Sequence, residues 1–267
     1  MSLAFDRKGT GPPLVLLHGV GHRRQAWNSV VALLTPQREL ILVDLPGHGE
    51  SPPLELDGQP VVQALLRAVA GLLDDLGLER PNIAGNSLGG LLALEAGAAG
   101  RASTVTALSP AGFFRGKSDV VKARGVFRTM QAAGRLLQPM APALARSAGG
   151  RAVLYGAIVN RPSLLTPEQA LGDMKAFLAA KGALELIMEG VGQFSGSVPP
   201  EVPVTIAWGN KDRLLSPKQS SVARDQLPEA NFVLLPGCGH VPMTDDPRLV
   251  ARVLLQGSAR TPDAQTG

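Results

Sequence analysis

Six short apolar runs recur along the chain, at Leu14 to His18, Glu39 to Asp44, Pro81 to Asn86, Thr104 to Ser109, Val202 to Trp208 and Asn231 to Pro236. They are rich in Val, Ile and Leu and nearly continuous rather than alternating, the pattern of strands covered on both faces. Between them, amphipathic stretches predict helices over Gln25 to Leu34, Val61 to Leu76, Ser87 to Ala99, Lys218 to Gln226 and Asp246 to Leu255. Strand and helix alternate, so the predicted class is α/β with a mostly parallel, doubly wound sheet. Leu3 to Lys8 adds a first strand, antiparallel at one edge, with Gly9-Thr10-Gly11-Pro12-Pro13 as its turn.

The pattern breaks at Gly112. From there to Pro200 strand runs vanish and helical segments take over, punctuated by Gly149-Gly150, Pro162 and Pro167. This predicts a helical insertion between two strands of the sheet, with Ser195 to Pro203 as the return linker. The chain thus divides into a core of residues 1–111 and 201–257, an insertion of residues 112–200, and a polar tail at 258–267 expected to be flexible.

A length of 267 residues with 45% apolar and 18% charged side chains fits one large folded domain with an insertion, not a disordered chain. The single cysteine excludes an internal disulfide and points to a reducing, cytoplasmic compartment. No apolar leader opens the sequence and no run reaches the roughly 18 apolar residues of a membrane span, so no stable membrane insertion is expected. The net charge of +4 is unevenly placed: residues 112–200 hold 11 Lys or Arg against 5 Asp or Glu, and the remainder 15 against 17. The basic excess lies in a helical segment with no nucleic-acid motif and little aromatic interleaving. It reads as a solvated surface without a nucleic-acid partner, the alternatives being attraction of an anionic substrate or membrane contact.

The chemistry concentrates where predicted strands end. Gly85-Asn86-Ser87-Leu88-Gly89 is a G-x-S-x-G sequence between a strand and a helix, where a serine on a sharp turn needs glycines two positions to either side. Asp212 and His240 each follow a later strand. With Ser87 they run in the order Ser, Asp, His and converge on the edge of an open α/β sheet where ligands bind. In these roles Ser87 is the nucleophile, His240 the base that takes its proton, and Asp212 the acid that orients His240. His18-Gly19-Val20-Gly21, directly after the first interior strand, places the backbone NH of Val20 with that of Leu88 as an oxyanion hole. Trp27, Phe113, Phe114 and Val241 flank these segments and are candidates, with Leu88, for lining an apolar substrate pocket. His18 and His22 have metal-ligand spacing, but intervening glycines argue against the helix that such a pair needs, and no metal or cofactor is required.

These segments occur together and in order with Asp44-Leu45-Pro46-Gly47-His48-Gly49-Glu50-Ser51, Trp208-Gly209-Asn210-Lys211-Asp212 and Gly237-Cys238-Gly239-His240. In this the chain resembles the α/β-hydrolase superfamily over about residues 3–257. The resemblance implies structural roles for Asp44 and His48, and a helical cap over the site inserted after the family's sixth strand. The short N-terminus departs from it, leaving room for one strand before Leu14 where the family usually has two. Serine at the nucleophile position implies acyl transfer on a small-molecule carboxylester, thioester or lactone, since members that open epoxides or displace halide carry aspartate there. Carbon-carbon hydrolysis of ring-fission products, perhydrolase or acyltransferase activity, and a non-catalytic ligand-binding role remain alternatives. The oligomeric state is left open.

Overall fold

The computed structural model describes residues 2–259. Seven strands form one sheet: β1 (Phe5–Lys8), β2 (Pro13–Leu17), β3 (Glu39–Val43), β4 (Asn82–Asn86), β5 (Thr104–Leu108), β6 (Val204–Gly209) and β7 (Asn231–Leu235), in the order β1-β3-β2-β4-β5-β6-β7. Only β1 is antiparallel, pairing Phe5 with Val43 and Lys8 with Leu40 at one edge. The remaining neighbours are parallel. The fold is α/β, as the alternation predicts, and the one strand before β2 matches the short N-terminus.

Alternate residues of each interior strand enter two separate cores, which is why the runs are continuously apolar. Leu14, Leu16, Leu40 and Leu42 face α1 (Asn28–Leu34) and α11 (Pro247–Gly257). Val15, Leu17, Ile41 and Val43 face α2 (Val61–Asp75) and α3 (Leu88–Ala98). The predicted helix at Gln25 to Leu34 divides into a 3-10 turn, Arg24–Trp27, and α1. That at Lys218 to Gln226 contains a similar turn followed by α9 (Ser220–Gln226).

Between β5 and β6 the chain forms α4 (Lys117–Leu137), α5 (Ala141–Arg146), α6 (Ala148–Tyr155), α7 (Pro167–Ala179) and α8 (Lys181–Gly190). Its two necks lie side by side: the Phe194 amide donates to the Gly112 carbonyl at 2.8 Å, Gln193 bonds the main chain of Phe114 in both directions, and the Phe113 and Phe194 rings sit 5.7 Å apart. A segment that leaves and returns at one point can be inserted without disturbing the register of the sheet.

Two local features were not anticipated. A one-turn helix, α10 (Pro242–Asp245), follows His240. At the C-terminus the flexible tail predicted from 258 begins too early, because Ser258 is buried, donates to the Leu254 carbonyl and accepts from Arg38 Nε at 2.9 Å. The rest of that tail, 260–267, lies outside the described residues. No helix among the described residues is long and apolar enough to cross a membrane.

The strand order reverses at β2, whose neighbours are β3 and β4, and the crevice beyond the carboxyl ends of β2 and β4 is where such a sheet binds ligands. Helix α3 starts in that crevice. A Cβ on Gly89 would overlap the Leu17 carbonyl, and one on Gly85 would overlap the backbone of Gly89. Since backbone cannot yield as a side-chain tip can, Gly89→Ala should destabilise the protein by at least about 1–3 kcal/mol. At about 2–4 °C per kcal/mol for a chain of this size, calorimetry should record a loss of several degrees in Tm. An unchanged Tm would mean that α3 does not seat on β2 as described.

Candidate active site

Ser87 joins β4 to α3 with φ +57°, a left-handed conformation that side chains rarely adopt. The turn is held by the Ser87 amide donating to the Leu108 carbonyl at 2.9 Å and the Ala111 amide donating to the Ser87 carbonyl at 3.0 Å. The loop after β2 passes directly above: a Cβ on Gly19 would stand 3.2 Å from that of Ser87.

Asp212 follows β6 and is buried. Its Oδ1 accepts from the amides of Leu214 at 2.9 Å and Leu215 at 2.8 Å, which leaves Oδ2 for His240 Nδ1, at 2.8 Å. This bond fixes the imidazole with its proton on Nδ1 and its Nε2 free to act as a base. His240 itself is held by main-chain bonds: its amide donates to the Ile158 carbonyl at 2.8 Å, and its carbonyl accepts from Asn86 Nδ2 at 2.9 Å. The insertion and Asn86, the residue before Ser87, therefore both position His240. Asp245, the other acid near His240, is occupied by the amides of Gly239, Asn160 and Arg161. It braces the histidine loop against the insertion and has no contact with the His240 ring.

Among the described residues, neither the Val20 nor the Leu88 amide donates to a protein acceptor, and Leu88, as the first residue of α3, has no partner within the helix. The loop that carries Val20 is built on two neutral histidines. His18 donates from Nδ1 to the Gly19 carbonyl and accepts at Nε2 from the Leu45 amide, while His48 donates from Nδ1 to the Pro46 carbonyl and accepts at Nε2 from the Gly21 amide. Burial pushes the pKa of both below the ordinary 6.5, His18 furthest. Protonation would also set an N–H against an amide N–H at each Nε2. Asp44 accepts from the Arg24 amide and guanidinium and from the Glu50 amide at 3.0 Å, and Arg24 reaches Asp6 and Glu50 as well. Asp44 and His48 are therefore framework groups. Arg24, the hub of this framework, carries no local signal in the sequence because its partners come from two distant segments, Asp6 and the Asp44 to Glu50 loop. His18 is fully engaged by these bonds, and no group of three or more potential metal ligands is found among the described residues.

A cavity with about 460 Å³ of open space, its mouth included, lies at Ser87. Apart from Ser87 its lining is apolar, including Val20, Leu88, Phe114, Phe127 and Leu215. Asp212 and His240 lie outside this lining, to which Leu214 and Leu215, whose amides bond Asp212, belong. A second chamber with about 900 Å³ of open space, its mouth included, extends beneath α4, α6 and α7 and shares Val20 and Phe127 with the first. Of the candidate pocket residues, Phe114 and Leu88 line the first cavity, together with Val20 of the proposed oxyanion hole, but three others do not. Trp27 is wholly buried in the α1 and α11 core, Val241 packs in that same core, and Phe113 packs at a tilt against Phe194. Each neighbours the site in sequence while its side chain points to the opposite side of the backbone. Cys238, also buried, has its thiol pushed up to about 12 by that burial, which removes it as a competing nucleophile.

The sequence model of a family described as "Alpha/beta hydrolase family" matches residues 14–253. An uncharacterized protein of Mycobacterium bovis is 28% identical over 255 residues, covering 91% of this chain and 74% of that protein. Among solved structures, a membrane phospholipase A described as a bacterial virulence factor aligns with a TM-score of 0.75 at 23% identity, over 97% of this chain and 84% of that one. An esterase from Thermogutta terrifontis aligns with a TM-score of 0.70 at 23% identity, over 95% and 92%. At these identities the two structures share the fold.

The histidine framework makes stability depend on pH with a definite sign. Below about pH 6.5 the unfolded chain binds protons at His18 and His48 that the folded chain refuses, so their contribution is intact above that value and lost as pH falls through it. Each contributes a slope of up to about 1.4 kcal/mol per pH unit. Denaturant unfolding at pH 7.5, 6.5 and 5.5 should show this fall, and His48→Gln should flatten it by up to one histidine's share. An identical slope in the variant would show that His48 is protonated in the folded protein.

Proposed function

The chain belongs to the alpha/beta hydrolase family, and we propose that it is a serine hydrolase cleaving a carboxylester, thioester or lactone with a largely apolar acyl group. The observation that carries this reading is the 2.8 Å Asp212 to His240 bond, tied by Asn86 to the turn that carries a strained Ser87 lining an apolar cavity. In the reaction His240 Nε2 takes the Ser87 proton as Oγ attacks the substrate carbonyl. Asp212 stabilises the imidazolium, and the developing oxyanion meets the Val20 and Leu88 amides. Collapse expels the leaving group, protonated by His240, and leaves the acyl chain on Ser87. Water, deprotonated by His240, then releases the acid.

The cavity favours an acyl group over the acidic ring-fission products of the carbon-carbon hydrolase alternative. Its lining offers no cation and no polar side chain besides Ser87, so a carboxylate there would be desolvated without a partner. The alternative of a pure binding protein leaves the Asp212 to His240 bond and the strained serine without a role. Ser87→Ala and His240→Ala should each lower kcat on a 4-nitrophenyl ester by at least about 10³-fold, and the double variant should lose little more, because the residues act as one unit. Asp212→Asn should fold and lose about 10⁴-fold through the wrong tautomer of His240. Turnover near wild type in any of the three, with Tm unchanged, would refute the assignment.

A further inference from the structure

Residues 120–161 carry seven Lys or Arg and no Asp or Glu. Among the described residues none of the seven forms an ion pair. Arg124 and Arg151 donate to main-chain carbonyls, while Lys122, Arg128, Arg135, Arg146 and Arg161 are exposed. Three of the insertion's acids are engaged elsewhere, Asp119 with Arg115, Asp173 with Arg23 and Glu185 with Lys181. The same stretch holds four large aliphatic side chains, Val121, Leu136, Met140 and Val153, each between 58% and 79% exposed. On α4 the two kinds share one face, since Val121, Arg128, Arg135 and Leu136 recur at helical spacing. The face adjoins an opening. Leu136 and Met140 flank Leu137, which with Val153 and the exposed Thr129, Ala133 and Ala157 forms the wall of the larger chamber.

We propose that this face of the insertion docks on an anionic lipid surface. The cations meet lipid phosphates, Leu136 and Met140 enter the headgroup boundary, and the chamber opens toward the lipid. Uncompensated cations interleaved with exposed aliphatics are the composition of an interfacial surface. A nucleic acid would satisfy the cations but offers bulky aliphatic groups nothing, and the two aromatic residues of the stretch, Phe127 and Tyr155, are buried and unable to stack on bases. A second copy of the same face would set the α4 cations Arg128 and Arg135 against their like. Docking is separate from the proposed reaction and requires no turnover.

The test is flotation of the full chain with phosphatidylcholine vesicles, alone or with a quarter phosphatidylglycerol, at low and high salt. Binding should be at least about tenfold stronger to the anionic vesicles and should weaken at least about tenfold at high salt. Ser87→Ala should bind as wild type does, so that loss of the hydrolase reading leaves this result standing. Arg128→Glu with Arg135→Glu should weaken binding at least about tenfold, and Leu136→Ser with Met140→Ser should weaken it at fixed salt. Both double variants should keep their Tm and their turnover of a soluble short-chain ester. Absent or charge-independent vesicle binding would overturn the proposal, as would binding that neither double variant weakens. DNA binding as tight as vesicle binding and indifferent to Leu136→Ser with Met140→Ser would assign the face to nucleic acid. A dimer in light scattering that the same variant dissolves would assign it to self-association.

Discussion

The contact on which the rest of the structure depends is the seating of the first turn of α3 against β2 and β4. At Gly85 and Gly89 the backbones come so close that neither position has room for one methyl group. That approach forces the chain through Ser87 in a left-handed turn and presents the serine at the reversal point of the sheet. The strain is held by main-chain bonds from Leu108 and Ala111 on the neighbouring strand and its loop. Nine of the eleven residues of α3 are buried, so the helix cannot move away to relieve the turn.

Around this fixed point, His240 and Asp212, the two residues proposed to act with the serine, are positioned mainly by backbone. His240 is carried on a loop whose main chain bonds Ile158 of the insertion and Asn86 of the elbow, and Asp212 spends one carboxylate oxygen on the amides of its own turn. The amides opposite are shaped by His18, His48, Asp44 and Arg24, which act through their protonation states and ion pairs without reaching the cavity. Such preorganisation suits a reaction that develops charge, because donors already aimed need not reorient as the charge appears. It also ties the insertion to the proposed chemistry, since the carbonyl of Ile158 holds His240.

Much of this was legible in the sequence because its signals are local. Continuous apolar runs marked the interior strands, and G-x-S-x-G between strand and helix marked the turn. The positions of Asp212 and His240 after β6 and β7 followed from strand ends. What failed was the direction of side chains. Trp27, Phe113 and Val241 are large, apolar and lie downstream of or next to site residues, yet whether such a residue enters the cavity or the core depends on which way the loop turns. The local sequence does not encode that choice. Arg24 and Asp245 went unrecognised for a related reason: each gathers partners distant in sequence, and neither sits in a pattern that announces it. The early start given to the tail had a simpler cause, since a polar Ser258 looks like solvent-exposed chain until Arg38 is seen to cover it.

The central claim is that Ser87 is an activated nucleophile, and a fluorophosphonate probe reads that activation without knowledge of the natural substrate. Mass spectrometry of the folded protein after brief exposure should find one adduct, on the peptide containing Ser87, and none after denaturation. No adduct on the folded protein, or one at Ser51 or Ser109, would contradict the account.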